Sequence, residues 1–210
     1  MTALEYRRSS RGLTIRADEA SRTVHFSGYA CVYDFEYDVA GGVDQGGWVE
    51  VVTRQAGRLT LAQKPDVRLL INHEGLPLAR TSRQTMTLAE DDSGLFADAP
   101  TLDLRNPKVQ ELESVMDRGD ADEMSFAFRV AEQKWNGDYT HRTILTYDLA
   151  VKGADVSLVT YPANDATVAQ IRTAAAIDEL RAAVRGGVMD VRMARHIVDR
   201  IRDAQDLIRI

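Results

Sequence analysis

The sequence predicts an α+β fold, and three observations predict it. From Leu13 to Val159, short segments alternate apolar and polar residues at the period of two that a half-buried strand requires, separated by clusters of Gly, Asn, Asp and Ser. Among them sits one segment with the start and stop signals of a helix. Beyond residue 165 the apolar positions change to helical spacing, and no aromatic residue follows Tyr161. The chain of 210 residues therefore divides into a strand-rich domain over residues 1–165 and a helical extension over 166–210.

Residues 1–12 are polar and basic and read as frayed. Leu13–Ala17 and Thr23–Tyr33 alternate like two strands around the turn-like Asp18–Arg22, the second rich in β-formers at Gly28-Tyr29-Ala30-Cys31-Val32-Tyr33. Residues 35–66, punctuated by Gly41-Gly42 and Gly46-Gly47, read as a long surface loop followed by a short helix or strand near Trp48–Leu61. Val67–Ile71 is a compact apolar strand that ends in Asn72-His73-Glu74-Gly75. Thr85–Glu90 and Leu95–Pro100 form a hairpin around Asp91-Asp92-Ser93-Gly94.

Asn106 caps a helix whose first turn takes Pro107. Val109, Leu112, Val115 and Met116 form its apolar stripe, and Gly119 ends it. Glu123–Val130 is a strand with Met124, Phe126 and Phe128 on one face and Ser125 on the other. Asn136-Gly137 signals a two-residue hairpin into a strand over Tyr139–Leu149. In Ala154–Asn164, Val156 and Leu158 point one way while Asp155, Ser157 and Val159 point the other, until Pro162 stops the strand. Val168, Ile171, Ala175, Ile177, Leu180 and Val184 then give one amphipathic helix, and Val191, Ala194, Val198 and Ile201 a second, parted by Gly186-Gly187.

A net charge of −6 offers no electrostatic case for nucleic acid or an anionic membrane, and no apolar run reaches the length of a membrane span. The N-terminus lacks the hydrophobic stretch of a secretory signal. The single cysteine, Cys31, excludes an internal disulfide and reads as a small buried residue. The four histidines, His25, His73, His141 and His196, have no HExxH or CxxC companions, so neither a metal nor a cofactor is expected.

Three polar residues stand at or near strand ends: His73, Ser125 and Asp155. A rigid strand is a good mount for a nucleophile, since reacting atoms must be held closely in place. A serine nucleophile needs a base, and the base needs a partner that orients it and stabilises the imidazolium; a histidine and a carboxylate supply both. Each residue also has a plain reading: Ser125 as a small polar strand residue, His73 as a strand cap bonded to backbone. Chain order alone does not bring them together.

Four blocks add to this. Gly28-Tyr29-Ala30-Cys31-Val32-Tyr33-Asp34, Leu69-Leu70-Ile71-Asn72-His73-Glu74, Met124-Ser125-Phe126-Ala127-Phe128 and Asp155-Val156-Ser157-Leu158-Val159-Thr160-Tyr161-Pro162-Ala163-Asn164 occur in the order of the signature blocks of the prohead maturation proteases of tailed bacteriophages. The chain resembles that family over roughly residues 10–170. The resemblance implies an assemblin-like fold, a closed or nearly closed antiparallel β-barrel surrounded by helices. It implies His73 as general base, Ser125 as nucleophile and Asp155 as the acid that orients His73. Its implied substrates are the major capsid protein's scaffolding segment or a separate scaffold protein, together with the protease itself, cut in the host cytoplasm inside the assembling prohead. The helices after residue 165 are expected either to target the protease into the assembling shell or to pair two copies in self-association. The charge and the lack of a long apolar run leave no nucleic acid or membrane partner expected.

The chain departs from the family pattern at three points. Asp155 stands where glutamate is more usual, and Ala127 stands where glycine is. The Gly-Ala-Phe element that usually follows the first loop is not recognisable near Gly47–Glu50. A backbone amide after the Asp155 strand, or Arg129 through a water, is a candidate oxyanion donor. Ser157 reads as a strand residue beside the site. Two other classes of function remain open on the sequence: a non-catalytic capsid-assembly protein on the same fold, and an unrelated esterase, which the missing Gly-x-Ser-x-Gly elbow disfavours.

Overall fold

A computed structural model describes residues 4–9, 12–18 and 20–159. They form twelve strands, β1 (Glu5–Ser9), β2 (Thr14–Asp18), β3 (Thr23–Val32), β4 (Tyr37–Val39), β5 (Trp48–Val52), β6 (Arg68–Ile71), β7 (Glu74–Arg80), β8 (Thr87–Glu90), β9 (Gly94–Asp103), β10 (Glu123–Trp135), β11 (His141–Asp148) and β12 (Asp155–Val159), with helices α1 (Arg58–Ala62) and α2 (Pro107–Asp117). The helices expected beyond residue 165 lie outside the described residues.

The strands make two sheets. The larger runs β4-β5-β11-β10-β12-β6-β7, with β1 also paired to β10; the smaller runs β2-β3-β9-β8. The fold is thus strand-rich and mostly antiparallel, as the turn signals predicted. Among the described residues neither sheet closes on itself, so the closed barrel is not seen. Two neighbouring pairs, β5 with β11 and β6 with β12, are parallel. Parallel neighbours need a long crossover between them, and the strands that intervene in sequence provide it.

β10 is the axis of the larger sheet. Its first half pairs with β1 on one side and β12 on the other, at Ser125↔Arg8 and Ser125↔Ser157. Register shifts between Val130 and Gln133 bend the strand, and its second half pairs with β11. One strand of 13 residues therefore joins two regions of the sheet. Phe126 and Phe128 stack with ring centroids 4.2 Å apart, and Tyr147 meets both edge-on. The two sheets touch where a side chain on Gly28 of β3 would collide with Met124 of β10: a Cβ there would stand 2.9 Å from Sδ.

Three sequence expectations need correction. Residues 5–9 are not frayed: they form β1, and Arg7 is buried because its charge is answered inside the fold. Arg7 and Arg142 both donate to Glu50, which has no exposed surface, and both also reach Glu5. Tyr37 donates to Glu50 at 2.6 Å, and Trp48 and Trp135 lie against the Arg142 guanidinium. Two carboxylates thus balance two guanidiniums. Burial alone would push Glu50 up, but Arg7 and then Arg142 outweigh it and hold the carboxyl well below its ordinary range; Glu5 is lowered in the same way.

The second correction concerns residues 35–66, which are more regular than a loop. They supply β4, β5 and α1, so both a strand and a helix occur near Trp48–Leu61. The third is the turn after β10. It is longer than two residues: Asn136 N–H bonds to the His141 carbonyl across residues 137–140, and Tyr139 adopts a left-handed φ of 61°. The helix reading stands: Asn106 Oδ1 accepts from Lys108 N–H at 3.0 Å, Pro107 follows, and Val109 and Leu112 are buried.

Candidate active site

On β10 the odd-numbered residues face away from the phenylalanines, as the alternation predicted. That face is not open. Ser125 is 2 % exposed: β1 and β12 flank it within the sheet, and His73 of the β6–β7 turn meets its hydroxyl. On β12, Asp155, Ser157 and Val159 share the face of Ser125, with Ser157 directly opposite it and Asp155 one diagonal step away. Diagonal neighbours in an antiparallel pair stand about 7–8 Å apart, too far for a direct bond between short side chains and the right span for an imidazole bonded at both ends.

His73 fills that span. β6 runs parallel to β12 and ends at Ile71, which pairs with both Leu158 and Glu74. The two residues between Ile71 and Glu74 make the turn, Asn72 at φ 54° and His73 at φ 60°. Positive φ at both central residues is the geometry of a type I′ hairpin; it is uncommon outside glycine, and Asn and His tolerate it better than most residues do. The turn is pinned to β12 at two points: Asn72 N–H donates to the Leu158 carbonyl at 2.8 Å, and His73 N–H donates to Ser157 Oγ at 3.2 Å. A strained turn that persists marks a surrounding structure that over-determines it.

The imidazole then lies between the two groups on the sheet. His73 Nδ1 is 2.8 Å from Asp155 Oδ1, and Nε2 is 2.8 Å from Ser125 Oγ. A carboxylate can only accept, so the proton sits on Nδ1 and leaves the Nε2 lone pair to receive the Ser125 hydroxyl proton. The Tyr6 ring, brought in by β1, meets the His73 ring edge-on at 4.6 Å. The His73 side chain is 19 % exposed and that of Asp155 6 %, so the site is largely shielded but open at the imidazole. Chemically, this arrangement can take a proton from a hydroxyl, hold it on a cation stabilised by an adjacent carboxylate, and return it.

All three residues singled out in the sequence, His73, Ser125 and Asp155, are thus within one hydrogen-bonded chain. Ser157 is more than a neighbour: besides accepting from His73 N–H, it donates to Asp155 Oδ1 at 2.6 Å. Its position opposite Ser125 was legible only once strand register was known. Tyr6 was missed because the segment carrying it looked frayed.

Arg129 lies four residues along β10 from Ser125, about 13 Å at ~3.3 Å per residue, and its guanidinium is bound to Asp148 at 2.5 Å. The other candidate oxyanion donor, a backbone amide after β12, lies outside the described residues. Cys31 is buried, and burial pushes its thiol far up, which suits a packing residue rather than a nucleophile. His25 is held by Asp98 at the surface, and His141 is exposed beside Asn136 and Thr140; His196 lies outside the described residues. Among the described residues no cluster of three His, Cys, Asp or Glu side chains could hold a metal, and no helix is long and apolar enough to cross a membrane.

Compared with models of protein families, residues 11–181 match the one described as caudovirus prohead serine protease. No curated protein and no solved structure matches the chain.

Proposed function

The chain belongs to the prohead serine proteases of caudoviruses, and from that premise we propose that it cuts peptide bonds through His73, Ser125 and Asp155. The single observation that carries this reading is the chain Ser125 Oγ–His73–Asp155, with two bonds of 2.8 Å on opposite edges of one imidazole. Ser125 Oγ attacks the scissile carbonyl carbon while its proton passes to His73 Nε2. The resulting imidazolium rests against the Asp155 carboxylate. The C–N bond then breaks as Nε2 returns the proton to the leaving amine, and an acyl-Ser125 ester remains. A water, deprotonated by the same Nε2, hydrolyses the ester and frees Ser125. Aspartate in place of the more usual glutamate suits this geometry, since Asp155 is already in contact with Nδ1 from its place on β12.

The substrates we assign are the scaffolding segment of the major capsid protein or a separate scaffold protein, and the protease's own chain, cut inside the assembling prohead in the host cytoplasm. The segment 166–210 serves in this reading as a helical extension that associates with the shell or with a second copy. The test is intact mass spectrometry of the protein co-expressed with the major capsid protein of the same phage, as wild type and as Ser125→Ala. Discrete truncation in the wild type that disappears in the variant is the expected result. Full-length masses in both, in properly assembled shells, would overturn the reading.

A further inference from the structure

We infer that Ser157 is a positioning residue of this site, holding His73 and Asp155 in their working orientation through one hydroxyl; this rests on the reading of His73, Ser125 and Asp155 as the reacting groups. The donor and acceptor roles at Ser157 follow from its partners. A backbone N–H can only donate, so Ser157 Oγ accepts from His73 N–H, at 3.2 Å. A carboxylate can only accept, so the one hydroxyl proton goes to Asp155 Oδ1, at 2.6 Å. That is the same oxygen that receives His73 Nδ1–H. The bonds therefore close a ring: His73 backbone to Ser157, Ser157 to Asp155, Asp155 back to the His73 imidazole.

Such a ring fixes what a three-residue chain leaves free. A carboxylate bonded only to Nδ1 can still rotate about its Cβ–Cγ bond. A second donor on the same oxygen, supplied by a fully buried side chain of the same strand, holds the carboxyl plane. His73 also sits at a left-handed φ of 60°, a conformation that persists only if its neighbours hold it. Ser157 supplies that hold at the amide of the residue whose ring does the chemistry. The two serines facing each other across β10 and β12 thus have different work: Ser125 offers its proton to Nε2, and Ser157 has committed its own to Asp155.

The experiment uses the full chain and an alkyl fluorophosphonate, which reports acylation chemistry without a known peptide substrate. Ser125 Oγ forms the bond to phosphorus, the P–F bond breaks, fluoride leaves and the hydroxyl proton passes to His73 Nε2. Ser157→Ala is expected to lower the limiting labelling rate about 10- to 100-fold with the half-saturating probe concentration unchanged, the size appropriate to hydrogen bonds with a charged partner. Ser157→Thr, which keeps the hydroxyl, should restore the rate to within about threefold. In proton NMR the His73 Nδ1–H resonance should broaden in Ser157→Ala, and Ser157→Thr should restore it, while Ser157→Ala loses only the modest thermal stability that two buried hydrogen bonds contribute.

An unchanged rate and resonance in Ser157→Ala, with Ser125→Ala unlabelled, would overturn the positioning role and leave the proposed site standing. A rate loss that comes with a matching fall in thermal midpoint, and that Thr does not relieve, would overturn it as well, since packing alone would then account for the effect. Labelling of Ser125→Ala at the wild-type rate would overturn the site reading, and this inference with it.

Discussion

Replacing Asp155 by Asn tests the reading of the site most directly, because it alters charge while leaving volume nearly unchanged. In the structure the Asp155 carboxylate lies 2.8 Å from Nδ1, in a pocket where its own side chain is 6 % exposed. When the Ser125 proton reaches Nε2, the new imidazolium and the carboxylate have charge centres roughly 4 Å apart. At an effective dielectric of ~20, suited to a shielded but not dry site, the attraction amounts to about 4 kcal/mol. At about 1.4 kcal/mol per factor of ten, its loss slows acylation by about a thousandfold.

A further route to loss exists, since an Asn that turned its NH₂ toward Nδ1 would draw the imidazole proton to Nε2 and leave Ser125 without an acceptor. The rate of fluorophosphonate labelling, followed over time by intact mass at several pH values, measures the effect. Asp155→Asn labelling within threefold of wild type at every pH would refute the assignment of Asp155, and with it the electrostatic argument. Unfolding is checked alongside, because Asp155 also accepts from Ser157.

Three further outcomes are expected. Glu50→Gln leaves Arg7 and Arg142 buried with Glu5 as their remaining carboxylate, and should cost about 3–5 kcal/mol in urea unfolding; a loss under about 1 kcal/mol would show that the cluster does not hold β1. Because the folded state keeps Glu50 and Glu5 below their ordinary value of 4.5, their stabilisation is complete above that pH. It drains away as pH falls toward about 2, where Glu50 takes up its proton. Acid unfolding followed by circular dichroism should show this limb, and Glu50→Gln should flatten it. Gly94→Ala places a methyl about 1.9 Å from the Cys31 carbonyl oxygen, so a shift of the urea midpoint worth about 2–3 kcal/mol with unchanged slope is expected. Tyr6→Ala removes the edge-on contact with His73 and should slow fluorophosphonate labelling by about 3- to 10-fold, in keeping with the ~0.5–1.5 kcal/mol such ring pairs contribute.

What could be read from the sequence was local. The alternation of Met124, Phe126 and Phe128 put Ser125 on the correct face of β10, and Asn106-Pro107 marked the start of α2, because both depend on neighbours a few residues away. His73 was recognisable as a strand-end residue, yet its place in a left-handed two-residue turn was not, since Asn-His is not a sequence that a type I′ hairpin prefers. The parallel pairing of β6 with β12, which sets His73 over Asp155, depends on partners more than 80 residues apart (|i−j| = 82 for the His73–Asp155 bond). No local pattern encodes it. The N-terminal segment misled for the opposite reason: Arg7 looks like a solvent residue until Glu50 and Phe128 are placed around it.

That segment has a consequence for when the protein becomes competent. β1 is made first, but its partners are made late: Glu5 binds Arg142, 137 residues downstream, and β1 closes against a strand that begins at Glu123. At about 5–20 residues per second of synthesis, roughly 7–27 seconds separate the emergence of Glu5 from that of Arg142. His73 follows about halfway through that interval, but Asp155 is made only after it ends. A nascent chain therefore cannot bring His73, Ser125 and Asp155 together until the domain is whole.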